Sequence, residues 1–221
     1  MQADSTPVSS TQLHAHPKLP ELIQRHLANA YRKPVASHNQ QAFNLLLERL
    51  TVAPRPLVLD SFCGTGHSTA ALAQRHPDHL IVGIDKSAHR LAKHPHHGRG
   101  NTILLQAECE DIWQLLLQAR IKPDYHYLLY PNPWPKAKHL QRRIHGHPAF
   151  RYLLQLGGIV ELRSNWQIYV EEFGVAMHLA GQRGRVQQVE PEQPITLFEQ
   201  KYQASGHGLW RFLSKPLNRV S

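Results

Sequence analysis

The chain is poor in sulfur: its 221 residues include two cysteines, Cys63 and Cys109, and two methionines. Two cysteines cannot build a disulfide framework, and these two have no metal-ligand spacing, so a stapled secreted scaffold and a cysteine metal knuckle are both excluded. A reducing cytoplasm is the compartment this points to. Long apolar runs are missing as well. Nowhere do eighteen apolar residues follow one another, and the opening "MQADSTPVSSTQLHAHPKLP" holds no apolar stretch of the signal-peptide kind, so no membrane segment is expected. Acids are the third scarcity: 16 Asp plus Glu stand against 25 Lys plus Arg, and 25 − 16 leaves nine net positive charges before any of the 17 histidines is counted. A balance of that size favours a polyanionic partner such as nucleic acid. The histidines, His94, His96 and His97 among them, have no acid or cysteine at metal-site spacing and read as surface residues, so no metal is expected.

What the chain does have is enough apolar residue, 41 %, for a real core. Residues 1–20 are polar and read as a loose arm, and residues 21–221 as one domain. A helix is expected from Glu21 to about Tyr31, with Leu22, Ile23, His26, Leu27 and Ala30 at helical spacing, and another over 41–51 with Phe43, Leu46, Leu47 and Leu50 on one side. The period then changes. "PLVLDSF", "LIVGID", "NTILLQAE" and "YHYLLY" are short β-type runs. Between them lie the helical segments "HSTAALAQRH", "SAHRLAKH" (with Ser87 as cap) and "CEDIWQLLLQAR". Alternation at this spacing predicts a doubly wound, mostly parallel sheet with helices on both faces. A helix and strand in "RYLLQLGGIVEL", a helix in "NWQIYVEEFGVAMHLAG" and strands near 185–189 and 207–213 complete it.

In such a sheet ligands sit beyond the carboxyl ends of the strands. The first strand runs into "DSFCGTGHS", where Gly64 and Gly66 permit close backbone approach and the helix start offers free N–H groups. The third glycine of the dinucleotide fingerprint is absent, which counts against a nicotinamide-dependent oxidoreductase. Acids end each strand: Asp60 the first, Asp85 the second, Glu108 the third. Asp85 suits two ribose hydroxyls, Glu108 an adenine amino group, and Asp60 a positively charged amino group. The set fits a cationic, phosphate-free adenosine ligand, and S-adenosylmethionine is one. Cys63 reads as a small filler in the turn rather than a nucleophile.

"YPNPWPKAKHLQRRIHGHPAF", Tyr130 to Phe150, has too much proline for a helix interior or a central strand. It resembles the F-P-D-P-W-x-K-x-R-H-x-K-R-R-I segment of the bacterial tRNA (guanine-N7)-methyltransferases. "ELRSNWQIYVEEF" is similar to their T-D-W-x-x-Y block, and "TLFEQKYQASGHGLW" to their T-x-F-E-x-R…G-H-G-x-W. The likeness extends over roughly residues 25–213. It implies a Rossmann-like class I methyltransferase fold, S-adenosylmethionine as methyl donor, and N7 of a guanosine in tRNA as acceptor. It further implies acids at the positions of Asn132 and Asn165, substrate-facing roles for Thr196 and Glu199, and RNA contact by Lys136, Lys138, His139, Arg142 and Arg143, with Arg25, Arg32 and Lys33 extending that surface. Trp134 reads as a wedge that sets the loop. The two asparagines are the main departure: an amide keeps a carbonyl acceptor, loses the charge and brings an NH₂ that would oppose a donor on guanine. Two readings follow, a methyltransferase with a weakened or re-tuned site, and a relative that binds RNA and transfers little.

Overall fold

The structure, a computed structural model, describes residues 5–94 and 100–214; His96 and His97 lie outside them. In chain order the helices are α1 Leu19–Ala28, α2 Ser37–Val52, α3 His67–Arg75, α4 Ala88–Leu91, α5 Cys109–Gln118, α6 Phe150–Leu156, α7 Gln167–Leu179 and α8 Leu197–Ala204. The strands are β1 Leu57–Ser61, β2 Leu80–Asp85, β3 Thr102–Gln106, β4 Tyr125–Leu129, β5 Ile159–Ser164, β6 Gly184–Val189 and β7 Leu209–Ser214. Two 3-10 turns, Ala137–Arg142 and Ile144–Gly146, occupy the basic run, which the sequence reading left without regular structure. Among the described residues no helix is long and apolar enough to cross a membrane.

The chain groups into two compact units, one of residues 33–129 with 155–158, the other of the described residues through 32, 130–154 and from 159 on. In the first unit four parallel strands stand in the order β3-β2-β1-β4, with Leu57 opposite Leu80, Val58 opposite Tyr125 and Ile81 opposite Thr102. Every residue of β1 and β2 is buried, which is why those strands read as unbroken apolar runs rather than alternating ones. Helix α3 lies close against β2 because Gly83 has no side chain: a Cβ there would stand 2.5 Å from Thr69 Oγ1 and 2.6 Å from Leu104 Cδ2. Close helix–sheet packing, the usual task of the fingerprint's third glycine, is thus met from the strand side.

Helix α2 begins at Ser37, four residues before the sequence expectation. Its missing cap comes from another helix: Asp111 Oδ2 accepts from Ala36 N at 3.1 Å and from Asn39 Nδ2 at 2.6 Å. Burial works to raise the Asp111 pKa, yet these donors and Lys33 carry it below the usual carboxylate range. Lys33, 3.1 Å from Asp111 Oδ1, is therefore taken up by that acid rather than extending an RNA surface.

The second unit holds β5-β7-β6 with antiparallel pairing, Glu161 opposite Leu213 and Gly184 opposite Ser214. Helix α7 presents Phe173 to Phe212, ring centroids 5.3 Å apart. Residues 10–16, expected as part of a loose arm, are held by hydrogen bonds. Ser10 Oγ donates to Pro135 O at 2.7 Å, and Glu172 accepts from Gln12 Nε2 and His16 N, each at 3.3 Å. Arg143, expected to meet phosphate, is a correction: its side chain is wholly buried, pairs with Glu172 and donates to Gln12 Oε1 at 3.0 Å. A charge run names the cations but not which one turns inward; here the buried carboxylate on α7 selects Arg143. Burial alone would raise the Glu172 pKa, but His145, Arg143 and the His16 amide together hold it low.

Removing one partner of a buried pair leaves the other charge stranded. Arg143→Ala is expected to lower unfolding stability by roughly 3–5 kcal/mol in urea titration; a loss within experimental error would show that the pair is not desolvated.

Candidate functional site

β1 ends in a turn where Phe62, Gly64 and Gly66 all have positive φ, 64°, 61° and 73°. A Cβ on Gly66 would come within 2.4 Å of His94 Nδ1, whereas one on Gly64 would meet nothing within 4 Å. The turn is thus tight at Gly66 and open in front of Gly64, where a ligand can approach the backbone. Gly64 N donates to Asp85 Oδ2 at 3.0 Å, Ser87 N to Oδ1 at 2.8 Å, and Arg90 Nη2 lies 2.8 Å from the same Oδ1. Asp85, expected as an open ribose acceptor, is only 2 % exposed and first of all ties the glycine turn to β2. Oδ2 retains one lone-pair direction.

Asp60 lies just behind, fully buried. Its Oδ2 accepts from Ser68 Oγ and Thr69 Oγ1, both at 2.6 Å, which fastens α3 to β1. Among the described residues its Oδ1 has no hydrogen-bond partner. Burial pushes the Asp60 pKa up from 3.8 to about 6, the two hydroxyls pull against that, and the Asp85 charge adds to it. A buried acceptor left open beside a glycine turn is a site short of a cation or donor. Glu108 accepts from, or pairs with, His38 Nε2 at 2.9 Å, and its amide donates to Asn39 Oδ1 at 3.1 Å. Cys63 and Cys109 are buried, and burial raises both thiols, so neither is a nucleophile at neutral pH. Five predicted donor-side residues, Asp60, Gly64, Gly66, Asp85 and Glu108, thus belong to one unit.

In the other unit, Tyr130 N donates to Arg163 O at 2.9 Å. Asn132 and Asn165 each stand two residues beyond that bond, so both leave the same edge of structure. Asn132 is exposed, and its Oδ1 accepts from Trp134 N at 3.2 Å, an Asx turn that holds Trp134 at φ 47°. Its NH₂ makes no hydrogen bond among the described residues. Asn165 is oriented the opposite way. His207 Nε2 lies 2.8 Å from Ser5 O, and a carbonyl only accepts, so Nε2 carries the proton and Nδ1 is the acceptor. Asn165 Nδ2 donates to that Nδ1 at 3.2 Å, which frees Asn165 Oδ1. His207 is the residue that sequence reasoning missed, although it stands in the quoted "SGHGLW" block.

Glu199 is the second correction. It is fully buried and does not face a substrate. Its Oε1 accepts from Arg163 Nη1 at 2.7 Å and from Tyr130 Oη at 2.9 Å, and its Oε2 from Ile195 N at 2.8 Å. Thr196 Oγ1 accepts from Glu199 N at 2.8 Å and caps α8. The Thr-x-x-Glu spacing is that of a capping box, with the glutamate diverted to the guanidinium and the Ile195 amide. Farther along α8, Tyr202 stacks on His207 at 5.3 Å and 14°. Lys136, Lys138 and Arg142 are exposed, and Arg142 lies 4.8 Å over the Trp134 ring. Among the described residues no group of His, Cys, Asp and Glu is disposed to hold a metal ion.

The profile of the family described as putative methyltransferase matches residues 54–212. The chain is similar to the tRNA (guanine-N(7)-)-methyltransferase of Sodalis glossinidius, 30 % identical with 80 % of this chain and 79 % of that protein covered. The corresponding figures for the enzyme of that name from Photorhabdus laumondii subsp. laumondii are 31 %, 79 % and 78 %. Among solved structures, an antibiotic-related methyltransferase superposes with a TM-score of 0.56 at 16 % identity, over 83 % of this chain and 96 % of that one, which shows the Rossmann-like class I fold. With a doubly wound sheet, a glycine turn beside an unsatisfied buried acid, and relatives alike over most of their length, the chain belongs to the tRNA (guanine-N7)-methyltransferase family.

Proposed function

We propose that the protein transfers a methyl group from S-adenosylmethionine to N7 of a guanosine in tRNA. The observation that carries the reading is the pairing of an unsatisfied buried Asp60 Oδ1 with the open approach to Gly64. The donor supplies a methyl on a positively charged sulfur. N7 bears an in-plane lone pair and no proton, so the N–C bond forms as the C–S bond breaks. The sulfur keeps the electron pair as a neutral thioether, and the positive charge passes to the purine. No general base is needed before attack. The chain's work is to orient both reactants and to favour the charge.

On the donor side, Asp60 is the acceptor for the ligand's ammonium, the Gly64 amide and Asp85 set the turn on which the nucleoside lies, and Glu108 takes the adenine side. On the acceptor side, Asn132 offers N–H and Asn165 offers C=O. This matches a purine with an acceptor at O6 and a donor at N1. The NH₂ that would oppose a guanine donor is removed from play by His207. Lys136 and Arg142 meet phosphates beside the base.

Incubation with methyl-labelled S-adenosylmethionine and total RNA, followed by nucleoside analysis, is expected to give 7-methylguanosine in the tRNA fraction. Label at another atom would contradict the acceptor assignment, and RNA binding without transfer would favour a binding role. Asn165→Leu, which removes the carbonyl at nearly constant size, is expected to lower kcat/KM roughly tenfold or more, the worth of one oriented hydrogen bond. Donor affinity, measured by calorimetry, should not change.

The pKa of Asp60 gives a pH test. Its folded value, about 6, lies above 3.8, so the ligand-free fold is stabilised by the proton and loses that contribution as pH rises through about 6. A cationic donor needs the ionised form, so its affinity should climb as pH rises through about 6 and level off roughly a unit above it. In Asp60→Asn the climb should vanish; a climb of the same size in the variant would rule Asp60 out.

A further inference from the structure

The molecule has a trough whose residues, Arg142 apart, have no part in the reaction as proposed. It lies between α1 with the residues just before it and the 3-10 turn Ala137–Arg142, and has a volume of about 740 Å³. Its walls bring Lys18 and Arg25 to face Lys138 and Arg142, with Glu21 the one acid, so 4 − 1 leaves three net positive charges before His16 is counted. All four cations are exposed at their heads, while Leu22 and Leu140 form an apolar floor. That volume gives room for a hydrated phosphodiester segment rather than a single small anion.

The two walls are held in register from beneath. Glu172 accepts from Gln12 and the His16 amide on one wall and pairs with Arg143, next to Arg142, on the other. His26 Nε2 bonds Gly146 O at 3.0 Å and ties α1 to the second 3-10 turn. A Cβ on Gly146 would come within 1.9 Å of Leu140 O, so that crossing has no slack. Arg142 is further set by its seat over Trp134. The cations therefore stand on fixed backbone, which reduces the entropy lost when they meet a chain of phosphates.

We propose that this trough is an RNA-backbone site apart from the residues that read the base, built jointly by the N-terminal segment and the proline-rich loop. It rests on the reading of RNA as substrate and extends it: α1, with His16 and Lys18 just ahead of it, supplies one wall. The partner fitted is the phosphodiester backbone of a folded RNA, since cations on both walls and a floor without base-reading groups confer affinity and register but no sequence choice.

The test is Lys18→Gln with Arg25→Gln, a pair on the N-terminal wall and outside the base-reading residues. Binding of tRNA is measured over a range of salt concentrations by filter retention, alongside thermal midpoint, S-adenosylmethionine calorimetry and binding to phosphatidylserine vesicles. The expected result is a slope of log K against log salt that is shallower by about 2, with affinity reduced roughly tenfold, and with midpoint and donor affinity unchanged. If the wild type binds tRNA and the variant matches it in slope and affinity, the trough is idle and the loop alone grips RNA. If only vesicle binding falls, the trough is a membrane-surface site and the proposal fails. A wild type with no salt-dependent tRNA binding would overturn the RNA reading itself, a result distinct from failure of the trough alone.

Discussion

The acceptor half is organised around the ion pair of Arg163 and Glu199. A carboxylate removed from water must be met by donors, and that of Glu199 is met by three, the guanidinium, the Tyr130 hydroxyl and the Ile195 amide, while the residue's own amide is held by Thr196. The consequence is geometric. β5 carries Arg163 and, just past its end, Asn165. Helix α8 carries Glu199 and, one turn on, Tyr202. Tyr202 stacks on His207, and His207 takes the Asn165 amide. The circuit closes on itself, so the direction in which the Asn165 carbonyl faces is fixed by an ion pair that touches no substrate. Burial lowers the tendency of Arg163 to keep its proton, but Glu161 and Glu199 more than reverse that and hold it charged.

The same economy appears on the donor side. Asp85 and Asp60 are both buried, and each spends part of its capacity on the protein: Asp85 on the Gly64 amide, Ser87 and Arg90, Asp60 on the hydroxyls of α3. What remains, one lone-pair direction on Asp85 and the open Oδ1 of Asp60, is what a ligand can use. In the proposed reading charge therefore stands on the donor side, and the base is met by the neutral amides of Asn132 and Asn165. In that reading an amide pair with opposed orientations would meet a donor–acceptor edge without the desolvation cost of two further carboxylates.

Much of this was legible in the residues and part was not. The first four strands and the helices between them were readable because parallel strands buried on both faces leave unbroken apolar runs, and the turn at Gly64 followed from its place after β1. Helix α2 was expected to start late because its cap is Asp111, on a different helix. Helix α8 was overlooked because its Thr-x-x-Glu start was taken as a substrate-facing block instead of a capping box. Arg143 and Glu199 were expected at the surface for one shared reason: sequence shows where charges are, while burial is decided by partners, Glu172 and Arg163, that are distant in the chain. The orientation of the asparagines depends on Ser5, His207 and Trp134 N, contacts that no spacing rule encodes.

On His207 the proton sits at Nε2 and Nδ1 accepts from the Asn165 amide, and this arrangement is what leaves the Asn165 carbonyl open. Nitrogen-15 NMR of the histidine side chains in the free protein at mildly alkaline pH, with His207→Phe to assign the signal, measures it without any ligand. The account predicts the pattern of the Nε2-protonated tautomer for His207. A proton on Nδ1 would require Asn165 to accept there through its carbonyl, and would contradict the proposed reading of guanine.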